Sequence, residues 1–308
     1  MKHIYLTVII VIVTIIAVIS VNNLGDIKVK VNDGVLKASL NRAGKDHKTI
    51  VVMIAGSGPT DRNGNSSLIK GRNDSLLQLA KALNKQGIDT FRYDKRSAGK
   101  SFKSFKDIQN TNFDDFVNDA IACINLLKNK GYNRIYVAGH SQGSLIAMLT
   151  TKSGLVNGVI SIAGPAHNVY YGLKEQLSAN NQYESVKYII EELKQGKIVK
   201  NVKEQDKLSF SIANQKFLIS WMKYNPLRIA KDLKVPIIFL NGDMDIQVPI
   251  ADLKIFQQAL PQSKCITLKN TNHVLKVVTN EKQNVESYSK AYYMLNETLI
   301  KEITSFVK

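Results

Sequence analysis

Residues 135–145 read IYVAGHSQGSL. A short apolar run ends at Gly139, Ser141 stands between two glycines, and an apolar, helix-forming stretch follows. Gly139-His140-Ser141-Gln142-Gly143 fits Gly-x-Ser-x-Gly. In that pattern a strained strand-to-helix turn lifts the hydroxyl clear of the sheet, and small neighbours remove clashes. The helix opening at Gln142 points unpaired N–H groups and its positive end at the same spot. Ser141 is therefore a candidate nucleophile.

Outward from this turn, strands alternate with helices. Thr49–Ala55 is a continuous apolar run, the pattern of a strand buried on both faces of a parallel sheet. Ile88–Tyr93, Arg134–Ala138, Val159–Ala163, Pro236–Leu240 and Lys264–Leu268 are further strands. Helices are expected at Ser75–Lys85, from a cap at Thr111 or Asn112 to near Gly131, at Gln142–Lys152, at Ile250–Ala259 and over 287–307. Upstream, Ile27–Val31 alternates apolar and charged residues, Asn32-Asp33-Gly34 signals a turn, and Val35–Leu40 returns as a hairpin partner. This order predicts an α/β fold with a mostly parallel central sheet flanked by helices. Residues 166–234 break the rhythm with helical stretches at 169–178, 183–195 and 209–223. They read as a helical lid inserted above the sheet, and they hold the sole tryptophan, Trp221.

The chain has 308 residues, 44% of them hydrophobic, which suffices for a large core without staples. Its net charge is +17, with lysine spread along the whole length. No nucleic-acid-binding motif accompanies that charge, so a solvated basic surface or attraction to an anionic envelope is expected instead. Ile4–Val21 is uncharged and nearly all apolar, close to the minimum for a membrane-spanning helix. Residues 1–26 therefore read as a hydrophobic anchor or signal segment, and residues 27–308 as a catalytic domain on the extracytoplasmic side. The two cysteines, Cys123 and Cys265, lack metal-type neighbours. They read as free thiols, or as a disulfide if the domain is exported. The absence of CxxC and HExxH patterns argues against structural zinc.

A serine hydroxyl needs a base, and histidine titrates in the right range. Five histidines are present. His3 adjoins the apolar segment, His47 lies in a polar turn, His140 diverges from Ser141 within the turn, and His167 opens the insertion. His273, in Lys269-Asn270-Thr271-Asn272-His273, follows the last strand, where the loops of a parallel sheet gather beside Ser141. Two carboxylates after the preceding strand compete to steady it, Asp243 and Asp245. The spacing Gly-x-x-Asp-x-x-Val-Pro favours Asp245. An oxyanion needs N–H donors; Gln142 supplies one, and the glycine-rich stretch Ala55–Arg62 supplies the other at Ser57.

The order serine, acid, histidine, with a glycine loop upstream, resembles the α/β-hydrolase superfamily over about residues 27–308. Gly56-Ser57-Gly58-Pro59-Thr60-Asp61-Arg62 and Phe91-Arg92-Tyr93-Asp94-Lys95-Arg96-Ser97-Ala98-Gly99-Lys100-Ser101 are similar to motifs of bacterial esterases in the serine-aminopeptidase-like group. Two departures are Ala55 where many relatives have histidine and Ser97 where glycine is usual. The resemblance implies an α/β-hydrolase fold and cofactor-free hydrolysis of a small-molecule ester or acyl substrate. Peptidase or thioesterase activity with the same triad, or a non-catalytic envelope-binding protein, are the alternatives. Asp61 and Arg62 are expected to brace the two loops by pairing with Asp94 or Arg96.

Overall fold

The computed structural model describes residues 26–43 and 48–308. The expected anchor or signal segment lies outside the described residues, as do His3 and His47. Among the described residues, no helix is long and apolar enough to cross a membrane.

In chain order the elements are β1 (Ile27–Val31), β2 (Gly34–Asn41), β3 (Thr49–Ile54), α1 (Ser75–Lys85), β4 (Asp89–Tyr93), α2 (Phe113–Asn129), β5 (Arg134–His140), α3 (Gln142–Thr150) and β6 (Gly158–Ile162). Then come α4 (Val169–Ala179), α5 (Tyr183–Lys194), α6 (Ile212–Met222), α7 (Pro226–Asp232), β7 (Ile237–Gly242), α8 (Ile250–Ala259), β8 (Lys264–Leu268), α9 (Glu281–Glu286) and α10 (Glu297–Val307). The strands form one sheet ordered β1-β2-β4-β3-β5-β6-β7-β8. β1–β2 and β2–β4 are antiparallel, and every later pairing is parallel. This is the expected α/β-hydrolase sheet.

The apolar runs fold this way because alternate residues serve two cores. On β3, Ile50, Val52 and Ile54 face one core while Val51 and Met53 face the other. Ile237 and Phe239 divide from Ile238 and Leu240 in the same way on β7. Helices α2, α3 and α8 close the first core, and α1 and α10 close the second. Asn112, not Thr111, caps α2: its side chain accepts from the Asp115 N–H, and Asp115 answers with a bond from the Asn112 N–H. β3 lies between β4 and β5, so the chain reverses its winding there. The loops after the parallel strands therefore gather along one edge.

Residues 166–234 form the expected helical insertion. Helices α4, α5 and α6 bury Leu173, Leu177, Ile189, Ile190 and Leu218 in a small core of their own. Trp221 ties that core to the main body, stacking on Phe113 of α2 at 5.5 Å between ring centroids. Two expectations need correction. Helix α7 was not anticipated, although Asn225-Pro226 is a helix start: the Asn225 side chain caps the Arg228 N–H and Pro226 opens the first turn. The final helix begins at Glu297, not at 287. Residues 287–296 are held out of helix because Leu295 bridges to Lys276 and the Val277 N–H bonds to the Met294 carbonyl. Cys123, buried in α2, and Cys265 are both free.

The expected brace between the two motif loops is half realised. Arg62 donates to Asp94 from its backbone N–H at 2.7 Å and from its guanidinium at 2.8 Å. Arg96 turns instead to Asp119 at 2.7 Å and to Asp33 at 3.2 Å. Asp61 spends its carboxylate on the N–H groups of Asn63 and Asn65. Both Arg62 and Asp94 are buried; without Asp94, Arg62 keeps Asp26 at 2.8 Å but loses its buried partner and the charged hydrogen bond to it. Asp94→Ala should therefore lower stability by about 2 kcal/mol in urea denaturation. A cycle with Arg62→Ala should give a coupling above about 1 kcal/mol; additive losses would mean the brace carries no energy of its own.

Candidate active site

Ser141 sits at φ 54°, ψ −121°, between the end of β5 and the start of α3. A side chain in that region costs on the order of 1–3 kcal/mol and persists only where its surroundings fix it. Here the Ser141 N–H bonds to the Ile162 carbonyl at 2.9 Å, and the Ser141 carbonyl accepts from the Ser144 N–H at 2.9 Å. The flanking glycines are a steric necessity. A Cβ on Gly139 would lie 2.0 Å from the Gly143 carbonyl oxygen, and one on Gly143 would lie 2.5 Å from that of Ile54.

His273 and Asp245 are brought together. His273 Nδ1 lies 2.8 Å from Asp245 Oδ2, with the aspartate side chain wholly buried and the histidine side chain 5% exposed. The other oxygen, Asp245 Oδ1, accepts the N–H groups of Gln247 at 2.8 Å and Val248 at 2.9 Å. That leaves His273 Nε2 as the free ring nitrogen on a residue bordering the same cavity as Ser141. The choice between the two aspartates is thereby resolved in geometry: Asp243 pairs with Lys269 at 3.4 Å on the surface. The His273 loop is pinned from behind, since Asn272 Nδ2 donates to Ser287 Oγ at 2.7 Å and to Asn284 Oδ1 at 3.0 Å.

Sequence reasoning passed over two residues. The His140 ring does diverge from Ser141, but it turns to His273: His140 Nε2 lies 2.8 Å from the His273 carbonyl oxygen, and the two rings stand 4.7 Å apart. Burial, then the neighbouring His273, pushes His140 down to about 3. It is therefore neutral near pH 7, with its Nε2–H as the donor. The second residue is Lys95, 1% exposed and forming no ion pair among the described residues. Its Nζ donates to the Gly56 carbonyl and, at 3.3 Å, to Gln142 Oε1; the Phe116 ring lies 5.2 Å away. Gly56 C=O belongs to the same planar peptide as the Ser57 N–H, so holding one end fixes where the other points. Lys95 thus holds the peptide that carries the Ser57 N–H and touches the side chain of Gln142, the two residues expected to donate to an oxyanion. In sequence it was one more cation in a charged motif.

Two cavities meet at Ser141. One of about 110 Å³ runs under the insertion, with Ser57 and Gln142 on its wall. The other, of about 400 Å³, is bordered by Ser57, His140 and His273. A serine hydroxyl, a carboxylate-held imidazole and a polarised peptide bordering one space can carry out nucleophilic acyl transfer.

Residues 71–283 match the family model described as serine aminopeptidase, S33. The chain belongs to this family. Esterase EstD of Thermotoga maritima is 27% identical over 269 residues, which are 83% of this chain. The chain spans 61% of that esterase's length. Among solved structures, Est1E of Butyrivibrio proteoclasticus with ferulic acid bound matches at TM-score 0.58 and 17% identity, covering 92% of this chain and 96% of that one. The Pyrococcus furiosus esterase Pf2001 matches at TM-score 0.58 and 17% identity, covering 93% and 94%. At that identity both establish the α/β-hydrolase fold.

The buried lysine has a measurable signature. Burial lowers Lys95 from 10.5 to about 7. Between those values the unfolded state binds more protons than the folded state, so stability contributed at this position rises with pH. The stability of Lys95→Met relative to the parent should therefore be greatest at pH 6 and decline steadily to pH 9. A flat difference in chemical denaturation across that range would show that Lys95 does not titrate there.

Proposed function

We propose that this protein is a serine hydrolase that cleaves carboxylic esters through an acyl-enzyme. The observation that carries the reading is the His273–Asp245 contact at 2.8 Å, on a residue sharing a cavity with Ser141. The esterase names of the relatives support it. Ser141 Oγ attacks the ester carbonyl while His273 Nε2 takes its proton. Asp245 holds the ring tautomer and stabilises the imidazolium. The N–H groups of Ser57 and Gln142 receive the oxyanion, and Lys95 steadies the peptide that carries the first. His273 then returns the proton to the departing alcohol, and water repeats the sequence to free the acid. The helical insertion serves as a lid that shapes the substrate site.

Ser141→Ala should abolish labelling by a fluorophosphonate probe and lower kcat on 4-nitrophenyl acetate by at least about 10³-fold. Asp245→Asn should cost about 10⁴-fold in kcat with the fold intact. Lys95→Met should cost about tenfold in kcat with little change in KM, because Lys95 positions a donor to the transition-state oxygen. Full labelling of Ser141→Ala would place the nucleophile elsewhere. The apolar run Ile4–Val21 makes membrane tethering with an extracytoplasmic domain part of this proposal. Protease accessibility in intact cells and in osmotically shocked ones checks it.

A further inference from the structure

The two cavities at Ser141 differ in size and in whether His273 borders them. The smaller, about 110 Å³, is walled by Leu173 of α4 and by Phe217, Leu218 and Trp221 of α6. The larger, about 400 Å³, lies between the loop following β3 and the segment around Val285 and Tyr288. Only the larger is bordered by His273. Acyl transfer uses that asymmetry. The carbonyl oxygen must face the Ser57 and Gln142 N–H groups. The leaving oxygen must lie within hydrogen-bond reach of His273 Nε2, because that atom protonates it. The alcohol half of the substrate therefore occupies the larger cavity, and the acyl half extends the other way, under the insertion.

The linings then select each half. The acyl side is short, with the aromatic rings of Phe217 and Trp221 on its wall beside the polar side chains of Glu175, Gln176 and Asp252. The alcohol side mixes hydroxyls with apolar patches. The Tyr288 hydroxyl accepts from Gln247 Nε2 at 2.9 Å, which leaves its own proton to donate. Ser66 Oγ accepts from the Leu68 N–H at 3.3 Å and likewise keeps its proton. Ser75 and Lys70 add further donors, while Leu68, Ile69 and Val285 supply apolar surface. Donors interleaved with apolar patches match a ring that carries hydroxyl oxygens on its rim and C–H groups on its faces.

Resting on the ester-hydrolase reading above, we propose that the preferred substrate is a short-chain acyl ester of a polyhydroxyl alcohol of about monosaccharide size. The acyl group sits under the insertion and the polyol in the cavity bordered by His273. In the first step the Ser141 Oγ–acyl carbon bond forms and the acyl carbon–alcohol oxygen bond breaks. The serine proton passes through His273 to that oxygen. Water then reverses the path, releasing the short acid and restoring the serine proton.

The test uses the full-length chain with acetyl, butyryl and octanoyl 4-nitrophenyl esters, and with monoacetylated glucose against ethyl acetate. Acetyl or butyryl esters should be cleaved at least tenfold faster than octanoyl, and acetylglucose at least tenfold better in kcat/KM than ethyl acetate. Gly172 borders the smaller cavity, and a Cβ there would meet nothing within 4 Å. Gly172→Leu is therefore a foldable way to shorten it. This variant should cut the butyryl-to-acetyl ratio about tenfold and leave the preference for acetylglucose over ethyl acetate within twofold. Tyr288→Phe should do the opposite, lowering the acetylglucose preference and sparing the chain-length profile. Exchanged effects of the two variants, or equal rates on acetylglucose and ethyl acetate, would overturn the assignment. If Ser141 reacts with the fluorophosphonate probe in that case, the hydrolase reading stands and only the substrate class falls. An unlabelled Ser141 would sink both.

Discussion

The molecule is organised around a contact that admits no side chain. At Gly143 the first turn of α3 presses against the Ile54 carbonyl at the end of β3, and at Gly139 the last turn of β5 presses against Gly143. The compression forces Ser141 into its positive φ and stands its side chain at the sheet edge. It also sets where β3 ends, and so where the loop bearing Ser57 begins. One steric constraint thereby places the hydroxyl and one expected oxyanion donor relative to each other. Helices α1, α2, α8 and α10 serve to keep that central part of the sheet rigid by filling both faces with close-packed apolar side chains.

What could be read from sequence was whatever period and local spacing encode. Uninterrupted apolar runs identified the parallel strands because a strand buried on both sides has no polar face to show. The hairpin, the Ser141 turn and the short motifs around Asp245 and His273 were visible because each depends on residues a few positions apart. Helix α7 was not, since seven residues are too few to display a helical period against a polar background. The start of α10 was misjudged because the pairing that unwinds residues 287–296 involves Lys276 and Val277, remote in sequence. His140 and Lys95 were missed for a related reason. Polar side chains inside polar motifs read as solvated, and only the strand order reveals that one lies against the His273 backbone and the other beneath Gly56.

Charge is handled differently at the surface and beneath the site. Most of the excess lysine lies where water and salt screen it. Below the loops, Arg62 pairs with Asp94 and Arg96 with Asp119, while the buried Arg92 donates to the amide oxygens of Asn63 and Asn41. Lys95 rests on carbonyl oxygens and an aromatic face in place of a counter-ion. Its burial is an expense in stability, as is the strained backbone at Ser141. Both lie within a few residues of the expected reaction centre, which is where folds commonly concentrate such costs.

The hydrogen bond from His140 to the His273 carbonyl has a consequence for how such a scaffold can vary. The serine follows β5 and the histidine follows β8, with β6 and β7 between those strands in the sheet. Without a direct link, the gap between them would inherit every small change in twist accumulated across those strands. Instead, the residue next to the serine grips the backbone of the histidine, so the spacing is gauged by the width of one imidazole ring. The connection between β6 and β7, which contains the whole helical insertion, lies outside that gauge. The insertion is free to be lengthened, trimmed or exchanged over evolutionary time, altering what is admitted without detuning the partners beneath it.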